Sequence, residues 1–141
     1  MCRAHATVRG LLGEIMEKSV TGRDVVVDME AGLEHLSRGT VRHVDRLLVV
    51  MEPYFRSLET GRRTAELAAE LGIPRIEAVA NKLRDPDDEA ALRAYCRTHG
   101  IEVAAEIPWD DALRDAERAG RAPLDFDPTA PAIGAIRGLV E

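Results

Sequence analysis

Short apolar runs alternate along the chain with longer segments in which apolar residues recur at helical spacing. The runs are DVVVDM (24–29), RLLVVME (46–52), RIEAVAN (75–81) and EVAAEIP (102–108). Continuous apolar runs of this length indicate strands that are buried on both faces, as in parallel sheets covered by helices. We therefore predict four strands.

The segments between these runs carry helix signals. Residues 57–72 contain an apolar stripe at helical spacing, and Gly72 supplies the stop. Residues 86–100 repeat the scheme, with Pro86 suited to a first helical turn and Gly100 to the end.

Two further helices are predicted at about 5–18 and 109–119, and the tail from 122 begins with a Pro-rich turn and ends in a short helix. Alternating strands and helices predict an α/β fold of right-handed βαβ units, with a mainly parallel sheet and flanking helices. Because no linker, repeat or low-complexity segment divides the sequence, we expect a single domain over residues 1–141.

Composition narrows the classes of function. The chain has 141 residues, is 45% hydrophobic and carries a formal net charge of -6, which fits one soluble domain and argues against nucleic-acid partners. No run approaches the ~18 apolar residues of a membrane span, and the N-terminus lacks the apolar core of a signal peptide. Two cysteines do not suggest a disulfide framework. We expect a cytoplasmic protein without a membrane span.

Polar residues stand where the predicted strands end, which is the edge at which open α/β sheets collect their functional groups. Asp28 lies at the end of the first run, with Gly32 shortly after it. P-loop NTPases hold magnesium through such an acid, with a nearby glycine that lets the backbone approach the terminal phosphate. An ordinary helix cap is the alternative interpretation of Asp28.

Asn81 and Lys82 close the third run. An Asn amide can donate and accept hydrogen bonds at a purine edge, and a Lys stem can pack across the ring. Guanine-specific proteins have a similar Asn-Lys pair followed two residues later by an acid, but here that position is Arg84 and Asp85 comes one residue late. The pair therefore favours adenine. A polar turn capped by Asn81 is the alternative.

Several segments together resemble a known family. DVVVDMEAGLEHLSRGT, LLVVMEPYFRSLETGRR and IPWDDALRDAERAGRAP are similar to the C-terminal half of the MinD/ParA-type ATPases, which have a deviant Walker A loop. The similarity is greatest to the nickel-inserting maturation ATPases of carbon monoxide dehydrogenase, and it covers nearly the whole chain. It implies a partial P-loop NTPase (Rossmann-like) fold. The segment MEPYFRS departs from that subgroup's pattern at Tyr54 and Phe55.

The resemblance implies a role for individual residues in binding ATP or ADP with Mg²⁺. Asp28 would be the magnesium-side acid, and Gly32 with Ala31 would belong to the switch that senses the terminal phosphate. The residues that the resemblance places around the adenine base are Asn81, Lys82, Ile107, Pro108 and Trp109.

The first residues, MCRAH, look like the end of the Cys-x-Cys motif of the nickel-inserting subgroup. In that subgroup, thiolates from two protomers hold a metal ion. The resemblance therefore implies a Ni²⁺ or Zn²⁺ site at a dimer interface, formed by Cys2 with help from His5. An ordinary N-terminal cysteine is the alternative. Glu30, Glu34 and His35 match the subgroup's signature without an assigned role.

The sequence contains no G-x-x-x-x-G-K-[ST] pattern, and neither Lys18 nor Lys82 follows a glycine loop. Phosphoryl transfer depends on positioning and charge neutralisation, so we predict no useful ATP hydrolysis by this chain alone. In the family, the strand of the phosphate-binding loop lies beside the strand that ends at Asp28. The exposed edge left there predicts a homodimer or pairing with a separate N-terminal half.

Two function classes follow from the sequence. The first is an ATP-dependent metallochaperone, or its C-terminal fragment, that acts in nickel insertion with carbon monoxide dehydrogenase as its client. The second is a noncatalytic α/β interaction module that has lost nucleotide hydrolysis.

Overall fold

The computed structural model describes residues 25–29 and 44–139, and its regular elements alternate between strands and helices. They are β1 (Arg46–Met51), α1 (Phe55–Glu70), β2 (Arg75–Leu83), α2 (Pro86–Thr98), β3 (Glu102–Pro108), α3 (Asp111–Arg118), α4 (Pro123–Phe126) and α5 (Pro131–Arg137). The strands form a parallel three-stranded sheet in the order β1-β2-β3, with flanking helices. The predicted α/β fold is confirmed.

The strand predicted at 24–29 is wrong for the residues that the structure describes. Val25–Met29 has no strand conformation, Val26 is 88% exposed, and the Asp28 side chain is exposed as well. An apolar run becomes a strand only where a neighbouring strand satisfies its backbone groups. Residues 25–29 have no such neighbour in the described sheet, which consists of β1, β2 and β3.

The predicted end of the first long helix is confirmed in its details. Helix α1 ends at Glu70, and Gly72 has a positive φ of 79°. The Ile73 N–H donates to the Ala68 carbonyl over 3.1 Å, which is the bond that closes a helix through a left-handed residue. Only glycine adopts this conformation without a steric penalty from Cβ.

Helix α2 begins as the sequence predicts, with Pro86 in its first turn. The residue before it, Asp85, accepts hydrogen bonds from the backbone N–H groups of Asp87 at 3.0 Å and Asp88 at 2.9 Å. These bonds satisfy donors that the first helical turn leaves without partners. Asp85 is therefore occupied as a helix cap.

The other helix predictions differ in outcome. The helix predicted at 109–119 is α3, the tail forms α4 and α5, and the helix predicted at about 5–18 lies outside the described residues.

The chain divides into two compact units, residues 1–47 with 63–76 and residues 48–62 with 77–141. No helix within 44–139 is long and apolar enough to cross a membrane.

Each unit has its own apolar cluster. In the first unit, Ala68 and Ile73 are buried, and the partly buried Met29 and Val44 are among the side chains packed on them. Met29 thus belongs to a core although Val25 and Val26 before it are exposed.

The apolar cluster of the second unit includes Val79 of β2, Ile107 of β3 and Ala132 of α5. Because Ile107 is the last residue but one of β3, this cluster anchors the carboxyl end of that strand. Nearby, a Cβ added to Gly61 would lie 2.6 Å from the sulfur of the fully buried Met51, which shows how closely α1 approaches β1 there.

Cys96 is a buried packing residue, with only 1% of its surface exposed. Burial raises the pKa of the Cys96 thiol. Because thiolates are the nucleophiles, we expect iodoacetamide at pH 8 to alkylate Cys96 far more slowly in the native chain than in urea. A Cys2→Ala variant confines the reaction to Cys96. Equal rates in the two states would contradict the burial.

The same shift has a consequence for the pH dependence of stability. Because its pKa is raised in the folded state, folding favours the neutral thiol. The contribution of this thiol to the free energy of unfolding is therefore fully present below the pKa of the unfolded thiol, about 8.5. That contribution is lost as the pH rises from there toward the higher pKa of the folded state. The free energy of unfolding should therefore fall in this window, and a Cys96→Ser variant should lack that component of the decline.

Candidate functional site

A bulge in β2 brings together three of the residues that the sequence associates with adenine. Ala80 pairs with Glu106 and Leu83 with Pro108, so Asn81 and Lys82 together face the position of Ile107 on β3. The sequence predicts a strand that ends at Asn81, but the strand continues to Leu83 and contains the bulge. Bulges re-aim side chains at strand ends and are common beside functional sites.

Lys82 has an unusual backbone within this bulge. Its φ is 59°, in the left-handed region that non-glycine residues seldom adopt. Its ammonium group lies 2.8 Å from the carboxylate of Glu52, the residue that follows β1. The ion pair therefore joins the carboxyl ends of two neighbouring strands, β1 and β2.

Trp109 continues the parallel pairing beyond the last residue of β3. Its backbone N–H donates to the Leu83 carbonyl over 2.7 Å, which brings the residue after β3 against the last residue of β2. The Arg84 guanidinium lies 4.9 Å from the centre of the indole ring, within the range of a cation–π interaction. The indole N–H donates to Asp111 over 3.3 Å, and the side chain stays 40% exposed.

A cleft of about 300 Å³ opens at this edge of the sheet. Its lining residues are Glu52, Pro53, Tyr54, Lys82, Arg84, Asp85 and Asp88. Three of the lining residues are acids. Glu52 pairs with Lys82, whereas the other two bind backbone groups: Asp85 caps α2, and Asp88 accepts a hydrogen bond from the Arg84 N–H over 3.0 Å. Lys82 and Arg84 are the cationic residues among those that line the cleft.

Asp110 anchors the segment after Trp109. One carboxylate oxygen accepts the Ala112 N–H over 2.9 Å at the start of α3, and the other accepts the Ala132 N–H over 3.1 Å in the first turn of α5. A single side chain thus satisfies donors at two helix N-termini. It fixes the chain that follows β3, where Pro108 and Trp109 lie.

Glu52 and Asp110 are the site residues whose partners sequence reasoning missed. Glu52 directly follows β1 and Asp110 comes two residues after β3, so their positions at the functional edge could be predicted. Their partners, Lys82 and Ala132, are 30 and 22 residues away in sequence. Only the fold identifies those partners.

The remaining predicted residues belong to the other compact unit or lie outside the described residues. Asp28 belongs to the first unit and is exposed, whereas Asn81, Lys82, Ile107, Pro108 and Trp109 belong to the second. Gly32, Cys2 and His5 lie outside the described residues. Within the described ranges, no group of three or more His, Cys, Asp or Glu side chains could hold a metal ion. The magnesium and nickel or zinc sites therefore stay predictions.

The chemistry of this edge suits an uncharged aromatic ring with polar edges. Asn81 supplies an amide donor and acceptor, and Lys82 and Trp109 supply a long aliphatic stem and an indole face. Ile107 and Pro108 are the last two residues of β3, directly before Trp109, and Ile107 is buried. Residues of these types offer hydrogen-bonding groups and apolar surface of the kind that contact a purine.

Comparison with known proteins shows which proteins are similar to this chain. No family model matches it. The carbon monoxide dehydrogenase accessory protein CooC of Rhodospirillum rubrum is 41% identical over 128 residues, which are 91% of this chain and 47% of CooC. An uncharacterized ATP-binding protein of Methanocaldococcus jannaschii is 36% identical over 132 residues, 92% of this chain and 49% of that protein. The chain spans about half the length of these curated relatives.

Solved structures agree on the fold. MinD in the MinC:MinD cell division complex of Aquifex aeolicus superimposes with a TM-score of 0.76 at 21% identity, covering 94% of this chain and 56% of that one. MinD of Pyrococcus horikoshii in complex with Mg-ADP gives 0.71 at 17% identity, with 93% and 54% covered. The resemblance found in the sequence is confirmed: the chain is homologous to the accessory protein CooC and has the fold of the MinD P-loop NTPases.

Proposed function

We propose that this chain is the nucleotide-base half of an ATP-dependent accessory protein for the maturation of carbon monoxide dehydrogenase. The observation that carries the proposal is the bulge in β2, which sets Asn81 and Lys82 opposite Ile107, next to the bond from Trp109 to Leu83. The 41% identity with CooC supports the biological role. Nickel insertion is the finer form of that role and rests on the same relationship.

In the proposed site, the Asn81 amide hydrogen-bonds the edge of adenine, and the Lys82 stem covers one part of the ring. Pro108 and Trp109 enclose the other side, with Ile107 behind them. Mg²⁺ would neutralise charge on the nucleotide's phosphates, and Asp28 is the residue that would hold it. The residues described here bind and orient the base.

Hydrolysis requires groups that this sequence does not contain, because it has no glycine-rich loop with a lysine to hold the phosphates. We propose that turnover requires an N-terminal half that supplies such a loop, or a homodimer that completes the site. Carbon monoxide dehydrogenase is the proposed client.

The proposal predicts nucleotide binding without turnover. In isothermal titration of the purified chain with Mg-ATP and then Mg-ADP, we expect saturable binding, and we expect Asn81→Ala to raise Kd about tenfold because one hydrogen-bonding group is lost. Arg97→Ala, in the exposed last turn of α2, is the matched control and should leave Kd unchanged.

A second variant tests the proposed role of Asp28 with magnesium apart from binding of the base. Asp28→Ala should weaken Mg-ATP binding while leaving the affinity for adenosine unchanged, since Asp28 acts through magnesium. Absence of any nucleotide binding by the wild-type chain would overturn the proposal and favour the noncatalytic interaction module.

A further inference from the structure

We propose that Glu52 is a positioning residue for the base site and acts by holding Lys82. This inference rests on the proposed function and extends it to a residue outside the predicted base-binding set. It is carried by the ion pair between the Lys82 ammonium and the Glu52 carboxylate, at 2.8 Å, which connects the ends of β2 and β1.

Lys82 needs such a partner because of its place in the chain. It lies in the bulge with a left-handed φ of 59°, and half of its side-chain surface is exposed. A lysine stem in solvent samples many rotamers, and ordering it on binding costs affinity. Fixing the ammonium end at Glu52 restricts the stem before the base arrives.

Glu52 is itself anchored by its own segment. Its backbone N–H donates to the hydroxyl of Ser57, in the first turn of α1, over 2.9 Å. The Tyr54 N–H donates to the Glu52 carbonyl over 2.8 Å. Both backbone groups of Glu52 are thus bonded within the turn between β1 and α1, so its carboxylate starts from a defined position.

This arrangement gives a physical reason for the spacing in MEPYFRS. The Glu supplies the partner of Lys82, and the Ser five residues later fixes the backbone of that Glu. The side chains of Tyr54 and Phe55 take no part in either bond, and both residues are more than half exposed. Variation at those two positions is compatible with the same function.

The ion pair between Glu52 and Lys82 is too exposed for folding stability to be its main role. Glu52 and Lys82 keep 30% and 50% of their side-chain surfaces exposed, and ion pairs with that exposure contribute little to folding. If the pair contributed only to folding, its loss would lower stability slightly and leave ligand affinity unchanged. A positioning pair predicts a loss of affinity without a loss of folding.

A double-mutant cycle on nucleotide binding separates these alternatives. We expect Glu52→Gln to raise the Kd for Mg-ADP about fivefold, Lys82→Met to raise it about tenfold, and the double variant to match Lys82→Met. The melting temperature should stay that of the wild type in all three. Glu89→Gln, which breaks another exposed ion pair, with Arg93 at 3.1 Å, is the control and should bind as the wild type does.

Adenosine distinguishes a role at the base from a role at the phosphates. If Glu52 positions Lys82 for the base, Glu52→Gln weakens adenosine and Mg-ADP by the same factor. An effect on Mg-ADP alone, an unchanged affinity, or additive effects in the double variant would each overturn the inference and leave the proposed function standing. Failure of the wild-type chain to bind either ligand would overturn both.

Discussion

Replacing Leu92 by alanine should lower the free energy of unfolding by about 3 kcal/mol, within the range for buried leucines. Leu92 lies in the middle of α2 and has no exposed surface. The substitution removes apolar contacts and leaves a cavity that close-packed neighbours fill only in part. Urea unfolding followed by circular dichroism measures the change.

Leu124→Ala is the matched control, because the same side chain is 51% exposed there. We expect it to cost less than about 1 kcal/mol, since much less apolar area is withdrawn from water. Equal losses at the two positions would show that α2 does not pack through Leu92 as described.

Replacing Asp110 by alanine should cost about 2 kcal/mol, roughly one helix cap for each of the two bonds it accepts. The substitution leaves the Ala112 and Ala132 N–H groups without their carboxylate partner. Because Asp110 follows Trp109 directly, indole emission should also report a change in the segment. Thermal and urea unfolding give the loss in stability.

Asp110→Asn tests the geometry of this double cap. Asparagine retains one carbonyl oxygen and can serve only one of the two helix starts well, so its loss should fall between the wild type and Asp110→Ala. An Asn variant as unstable as the Ala variant would point to the negative charge, acting on the helix dipoles, as the main contribution.

The elements that the sequence predicts well are those with local signals. Gly72, Pro86 and Gly100 mark helix ends through their own backbone preferences, and these helices were correctly located. The run at 24–29 has the same apolar character as β1, but strand formation depends on a neighbour that the run does not encode. That difference explains why the prediction at Val25–Met29 is wrong.

In the candidate site, too, the sequence predicts what local signals determine and misses what depends on distant residues. Asn81, Lys82 and Trp109 could be assigned to one edge because parallel strands end together. The bulge could not be predicted, since it depends on the register of β2 against β3 and not on either run alone. The Glu52–Lys82 pair follows from that register and from the neighbouring position of β1.

The central claim is that a purine binds at the carboxyl ends of β2 and β3, and Trp109 offers a direct reporter of it. Trp109 is the only tryptophan in the chain, so its emission comes from the proposed site alone. The measurement is a titration of this emission with Mg-ADP in the wild-type chain and in Asn81→Ala. The account predicts a saturable change that requires about tenfold more ligand in the variant. An emission that does not respond to Mg-ADP, or that responds identically in both proteins, would contradict it.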